Sequence, residues 1–265
     1  IIEKDANGKY KLYDDDGKPL YPTTFDDITQ AGLEIAESSD TKAIYICSTN
    51  KNGGGQFSNY AWNFGAELTK IENGKVVANL NSPEAVKALE WIKNLKNEEL
   101  LLNQKSVEYE GWYNKIGDQV AMAVVGNDVI QLAATQAHVN MDDLAFVPMP
   151  SELGKTRYSL YGGTPYVFAK NATDAQVKGV LKFFDYIGRS PNITDISKAA
   201  MRSGYEVAKR KNQPILPEIS PWKNEEFKAY KQSLLSEYVN VNMDYYNEFF
   251  NSIQDNKHSE VPYAP

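Results

Sequence analysis

The sequence predicts an α/β fold, because short apolar strand-like runs alternate with amphipathic helical stretches along most of the 265 residues. Two stretches carry that reading. From Asn79 to Leu95, Ser82 can accept a hydrogen bond from a first-turn amide, Pro83 sits where its missing N–H is harmless, and Glu84 faces the positive end of the helix dipole. Ala85, Val86, Leu89, Ile92 and Leu95 then recur at three- and four-residue spacing, so a helix with one apolar stripe is expected. The second stretch, Val120 to Val125, is an apolar strand between a Gly117-Asp118 turn and a Gly126-Asn127 stop.

The other elements follow in chain order. Residues 1–22 place Asn7-Gly8 and Asp16-Gly17 turns among short aromatic-bearing segments and read as a hairpin. Asp14-Asp15-Asp16-Gly17 fails as a calcium loop, because Leu12 stands where a ligand is required and no downstream bidentate Glu fits. Thr24 caps a helix with Asp26 and Asp27 in its first turn and Ile28, Ala31 and Ile35 on one face. A strand, Ala43 to Cys47, follows it. Ser48 to Phe57 is polar and glycine-rich and is expected to be a loop; it lacks the Gly-Lys-Ser/Thr ending of a phosphate-cradling loop. Glu72-Asn73-Gly74-Lys75 turns the chain into the short strand Val76 to Ala78.

Beyond the Ser82 helix, Ser106 is expected to cap a helix carrying Trp112 and Ile116, and Asp128 to Ala137 reads as helical. Leu144 to Pro148, Tyr158 to Tyr161 and Pro165 to Ala169 read as strands, the last two flanking Gly162-Gly163. Thr173 or Asp174 opens a helix with Val177, Val180, Leu181, Phe184 and Ile187 at helical spacing. A short helix is expected between Pro191 and Gly204, then helices over Glu225 to Tyr238 and Asn242 to Gln254. No internal repeat or low-complexity tract is read.

Composition narrows the functional classes. A net charge of −7, a pI near 5.1 and no basic run longer than Lys209-Arg210-Lys211 argue against a nucleic-acid partner. No apolar run approaches the ~20 residues that span a bilayer. Cys47 is the only cysteine and is read as a buried strand thiol, so no intrachain disulfide or cysteine-based metal site is expected. The histidines, His138 and His258, have polar neighbours and read as solvated. There is no Gly-x-Ser-x-Gly elbow and no His-Glu-x-x-His. With 17 Tyr, 4 Trp and 10 Phe and abundant Asn and Gln, the chain suits a cleft that stacks rings on sugars and bonds their hydroxyls through planar amides; an aromatic-rich core fits the same composition.

Six features in register, Pro22-Thr23-Thr24-Phe25-Asp26-Asp27, Trp62 to Gly65, Asn73-Gly74-Lys75, the helix from Ser82, Gln119-Val120-Ala121-Met122 and Gly162-Gly163, give a closer reading. Their order resembles the extracellular solute-binding proteins of ABC importers, in particular the carbohydrate-binding family that includes the maltodextrin-binding protein. The resemblance implies a periplasmic-binding-protein-like (type II) lobe, a mixed sheet flanked by helices, with the second lobe incomplete. It divides the chain into a hairpin-like lead-in (1–22), a C-terminal-lobe-like α/β domain (23–160), a segment that in the family crosses to the N-terminal lobe (161–205) and a helical C-terminal segment (206–265). Family members carry roughly a hundred residues before the Pro-Thr-Trp helix, so a fragment lacking the N-terminal lobe segment is expected.

Carried over by position, the resemblance implies ligand contacts from Gln56, Phe57, Asn59, Tyr60 and Trp62, from Asn127 and Asp128, and from Gly162, Gly163 and Thr164. Where the family places an aromatic after the strand glycine, this chain has Asn127-Asp128, which implies a more polar ligand. Trp91 and Trp112 are read as packing residues. The implied role is capture of a mono- or oligosaccharide in an interlobe cleft and delivery to the transmembrane subunits of an ABC permease, by an extracellular or periplasmic monomer that is a membrane-anchored lipoprotein in its full-length form. No catalysis, cofactor or metal is expected. The alternatives are a carbohydrate-active enzyme with a glycosidase-like carboxylate pair, and a sensor or accessory protein without transport.

Overall fold

In a computed structural model, residues 3–49, 52–163 and 166–259 are described. The elements in order are α1 (Phe25–Ala36), β1 (Lys42–Tyr45), α2 (Gly53–Asn63), β2 (Thr69–Glu72), β3 (Lys75–Ala78), α3 (Pro83–Asn97), β4 (Val120–Ala123), α4 (Gln131–Thr135), β5 (Ser159–Tyr161), α5 (Asp174–Tyr186), α6 (Asp195–Arg210), α7 (Glu225–Tyr238), α8 (Asn247–Ser252) and β6 (Lys257–Ser259). This is a mixed α/β protein whose strands pair in three two-stranded sheets: β1 with β4 and β5 with β6 in parallel, β2 with β3 antiparallel.

The chain forms two units, one of Ile1–Gly162 with Met243–Pro265 and one of Gly163–Asn242. These boundaries differ from those the sequence suggests. The C-terminal segment divides because β6 returns to pair with β5, Leu160 opposite His258, and because the Phe146 N–H donates to the Tyr245 carbonyl.

In the first unit, α1 starts at a capping box in which Thr24 Oγ1 accepts the Asp27 N–H and the Asp27 carboxylate accepts the Thr24 N–H. Gly32 lets α1 close on β1, since a Cβ there would stand 2.5 Å from the Ala43 Cβ. Strand β1 serves two parts of the interior. Ala43 and Ile44 join a cluster with Phe25, Tyr60, Trp62, Leu95 and Leu100, and Tyr45 joins a second with Val107, Trp112, Ile116 and Val120.

Ser82 caps α3 as expected, but the buried stripe is Ala85, Ala88, Trp91 and Leu95, with Leu89 left exposed. The helix is rotated because Trp91 brings the larger apolar surface, and its indole N–H finds the Phe25 carbonyl at 3.1 Å. The expected loop through Phe57 is also corrected. Gly53 already begins α2, its N–H bonded to the Thr49 carbonyl, and Gln56, Asn59, Tyr60 and Asn63 form its buried stripe. Tertiary packing overrides three weak helix formers here.

Two of those α2 residues hold β5. The Leu160 N–H donates to Asn59 Oδ1 at 2.8 Å, while Asn63 accepts the Tyr158 N–H at 2.8 Å and donates to the Tyr158 carbonyl at 2.7 Å. The fit is geometric: residues four apart on a helix rise about 6 Å, close to the roughly 6.7 Å of two strand residues.

The lead-in contains a repeat that the sequence reading missed. Asp5 Oδ1 accepts the N–H groups of Asn7 and Lys9, and Asp14 Oδ1 accepts those of Asp16 and Lys18. Gly8 and Gly17 both take positive φ, near 78° and 77°. Bridges Lys4–Tyr10 and Tyr13–Pro19 close the two turns, so the single expected hairpin is a tandem pair. Only Asp, Gly and Lys recur in identical form, and the intervening side chains conceal the copy.

Other expectations shift locally. The helix expected from Ser106 is a 3-10 turn over Tyr109–Asn114, Leu144 to Pro148 forms no strand, and a 3-10 turn with α8 replaces the helix expected from Asn242 to Gln254. The segment expected as a strand from Pro165 shows none over 166–169; Pro165 lies outside the described residues. The second unit is helical. Met201, Ile215, Phe227 and Leu234 centre its core, and α6 runs on past Gly204 to Arg210 because Tyr205 and Ala208 pack against that core.

Candidate functional site

Parallel pairing places Lys42 opposite Val120 and Tyr45 opposite Ala123, so β1 and β4 end together. The chain leaves β1 through Cys47 and leaves β4 through Val124 to Asp128. The carboxyl ends of parallel strands are where open α/β sheets gather ligands. Gln56 joins the two exits. Its Oε1 accepts the Cys47 N–H and its Nε2 donates to the Val124 carbonyl at 2.9 Å.

Beside this junction the Gly126 N–H donates to the Tyr109 hydroxyl at 3.1 Å. Asp128 folds back over Gly126, where a Cβ would stand 2.4 Å from Asp128 Oδ1. Asn127 is half-buried and Asp128 exposed, and among the described residues no hydrogen bond or ion pair engages the Asp128 carboxylate. Burial raises the Tyr109 phenol above its ordinary pKa, the Gly126 N–H opposes that shift, and the negative charge of Asp128 adds to it.

The residues expected on α2 do not face a common opening. Gln56 is 6 % exposed with both amide atoms engaged. Asn59 is buried and bonded to Leu160 and to the Gly55 carbonyl, and Phe57 is half-buried against the first core cluster. Tyr60 packs against Phe25 and Trp91, its buried hydroxyl without a hydrogen-bond partner among the described residues and its pKa raised by desolvation. Trp62, expected to stack on a ligand, is 2 % exposed and stacks on the His258 ring at 4.0 Å and 21°. His258, expected in solvent, is half-buried and also meets Tyr158 edge-on. Helical rotation turns these side chains inward together, and the open side of α2 carries Gly54 and Gly55.

Gln56, Asn127 and Asp128 are therefore brought to one strand-end neighbourhood, and Trp62 and Tyr60 are turned into the core. Gly162 ends the first unit and Gly163 begins the second; both are exposed, with open space where a Cβ would project. Thr164 lies outside the described residues. Cys47 is buried, as expected for a strand thiol. Sequence reasoning missed Tyr109 and Asn63. The signal available for Asn63 was its four-residue spacing from Asn59 among buried aromatics; none pointed to Tyr109. At the amino ends of β1 and β4 an open depression of about 400 Å³ is lined by Asp40, Lys42, Asn103 and Asp118 among others, remote in topology from the Asp128 turn.

The sequence model of the family described as bacterial extracellular solute-binding protein matches residues 4–192, well over half of the chain. The chain belongs to this family. Membership makes it a solute-binding protein of the extracellular kind, the class that supplies the substrate-binding components of ABC transporters and whose members are in general not enzymes. Comparison with curated proteins returns no match. Among the described residues no helix of this solute-binding protein is long and apolar enough to cross a membrane, and no group of three or more His, Cys, Asp and Glu is placed to hold a metal ion.

Proposed function

We propose that this solute-binding protein captures a carbohydrate at the carboxyl ends of β1 and β4 and delivers it to the transmembrane subunits of an ABC importer, changing nothing covalently. The observation that carries the reading is the turn after β4, where half-buried Asn127 and exposed Asp128, whose carboxylate has no partner among the described residues, follow Gly126, itself hydrogen-bonded to the Tyr109 hydroxyl at a strand end. A planar amide, a carboxylate and a phenol hydroxyl gathered at one turn suit a solute rich in hydroxyls. Asn127 and Asp128 keep the ligand-contacting role expected of them, and Gln56 and Asn59 hold the exit of β4 and the neighbouring strand β5.

Binding acts by population shift, since a solute favours whichever arrangement it binds more tightly and the permease responds to that arrangement. A thermal-shift screen of mono- and oligosaccharides tests the reading. At a hundred times its Kd a true ligand stabilises by about 2.7 kcal/mol, a readily measured rise in Tm. Asp128→Ala is expected to abolish that rise and leave the ligand-free Tm unchanged. A protein that responds to no sugar contradicts the proposal, and an Asp128→Ala variant that keeps the full response removes the sugar from this turn without removing the carbohydrate reading.

A further inference from the structure

We propose that Tyr109 and Asp128 act as a donor–acceptor pair that reads two adjacent hydroxyls of the solute, with Gly126 the position that allows the pair to form. The inference rests on the carbohydrate reading above and adds a residue and a selection rule to it. The Tyr109 oxygen accepts the Gly126 N–H, and among the described residues nothing accepts the hydroxyl hydrogen. The Asp128 carboxylate likewise has no donor among the described residues. Both oxygens lie within 4 Å of a single point, the place a Gly126 Cβ would take: Asp128 Oδ1 at 2.4 Å and the Tyr109 hydroxyl at 3.9 Å. Two acceptor-only groups would select any donor, an ammonium included. A phenol that still has a proton to give, beside a carboxylate that can only accept, requires a partner that donates at one atom and accepts at the next. Adjacent ring hydroxyls do both, each through an ordinary O–H···O bond of about 2.8 Å. The pair therefore selects neutral polyols over cations, which can satisfy Asp128 and leave Tyr109 unmet.

Gly126 follows from the same geometry. Its φ is not positive, so alanine meets no backbone strain there, yet the added methyl would overlap the Asp128 carboxylate and displace it.

The test uses the full chain with glucose, galactose, xylose, maltose, cellobiose and xylobiose, and with arginine and spermidine as cations, by isothermal titration calorimetry. Tyr109→Phe and Asp128→Asn are each expected to bind the selected sugar about ten- to a hundredfold more weakly, the range for hydrogen bonds involving a charged group. Tyr109→Phe is also expected to lose discrimination against the singly deoxygenated forms of that sugar, which a merely structural substitution would preserve. Gly126→Ala is expected to weaken binding in the wild-type background and to have no further effect in Asp128→Ala. Sugar affinity unchanged in both single variants, or Gly126→Ala adding its full effect to Asp128→Ala, overturns the pair and leaves the carbohydrate reading standing. Binding of arginine or spermidine with no response to any sugar overturns both, as does silence toward all eight.

Discussion

Helices α3 and α5 are built alike. Ser82 accepts the Ala85 N–H at one, Thr173 accepts the Gln176 N–H at the other, an acidic residue follows each cap, and both carry apolar residues at helical spacing. Their surroundings differ. In the first unit α3 buries Ala85, Ala88, Trp91 and Leu95, whereas in the second no residue of α5 is buried and Phe183 stands 56 % exposed. Caps and spacing fix where a helix forms, but not what it packs against, so two helices with equal caps should differ greatly in the stability that their packing supplies.

That contrast can be broken most directly at its buried end. Trp91→Ala removes an indole that packs on Phe25 and Tyr60, and is expected to cost about 3–5 kcal/mol in denaturant unfolding. Trp62→Ala should cost a similar amount by taking away the His258 stack, with broadened near-ultraviolet signals. Asn63→Ala leaves the Tyr158 N–H and carbonyl without partners and is expected to cost about 2–3 kcal/mol. A smaller and more telling pair is Thr24→Ala and Thr173→Ala, each expected to lose about 1 kcal/mol despite the difference in burial between their helices.

The Thr24 cap has a pH signature. Burial raises the Asp27 carboxyl pKa, but N–H and hydroxyl donors from Thr23 and Thr24 outweigh it and hold the group below its ordinary value. Its contribution is then fully present above the unfolded carboxylate value of about 3.9 and lost as pH falls through the lower folded value. Asp27→Asn should flatten that acid limb in a series of melts and leave the profile near neutrality parallel to wild type. Smallest of all is Phe183→Ser on α5, expected within about 0.5 kcal/mol of wild type. A loss as large as that of Trp91→Ala would mean the two helices are equally covered.

Elements with a local cause were legible in the sequence: the caps at Thr24, Ser82 and Thr173 and the glycine turns each act within a few residues. The rotation of α3 and the helical start of α2 were not, because distant partners decide them. Trp91 is placed by Phe25, and Gln56 by Cys47 and Val124. The candidate site divides the same way. Asn127 and Asp128 follow a strand end that the sequence marks with Gly126, so their position was readable. Trp62, a ligand contact by resemblance, is turned inward by a helical phase that the three glycines of α2 conceal in the sequence. Tyr109 reaches the site only through tertiary placement of a short 3-10 turn.

The asparagines that hold β5 have one more consequence. A short strand with unpaired backbone groups is a template on which a second molecule can add, and proteins commonly protect such strands with charge, proline or a bulge. Here the Asn59 and Asn63 amides already occupy the positions an incoming chain would need at Tyr158 and Leu160. This member of an extracellular solute-binding family thus carries a guard against strand addition in two side chains of a neighbouring helix.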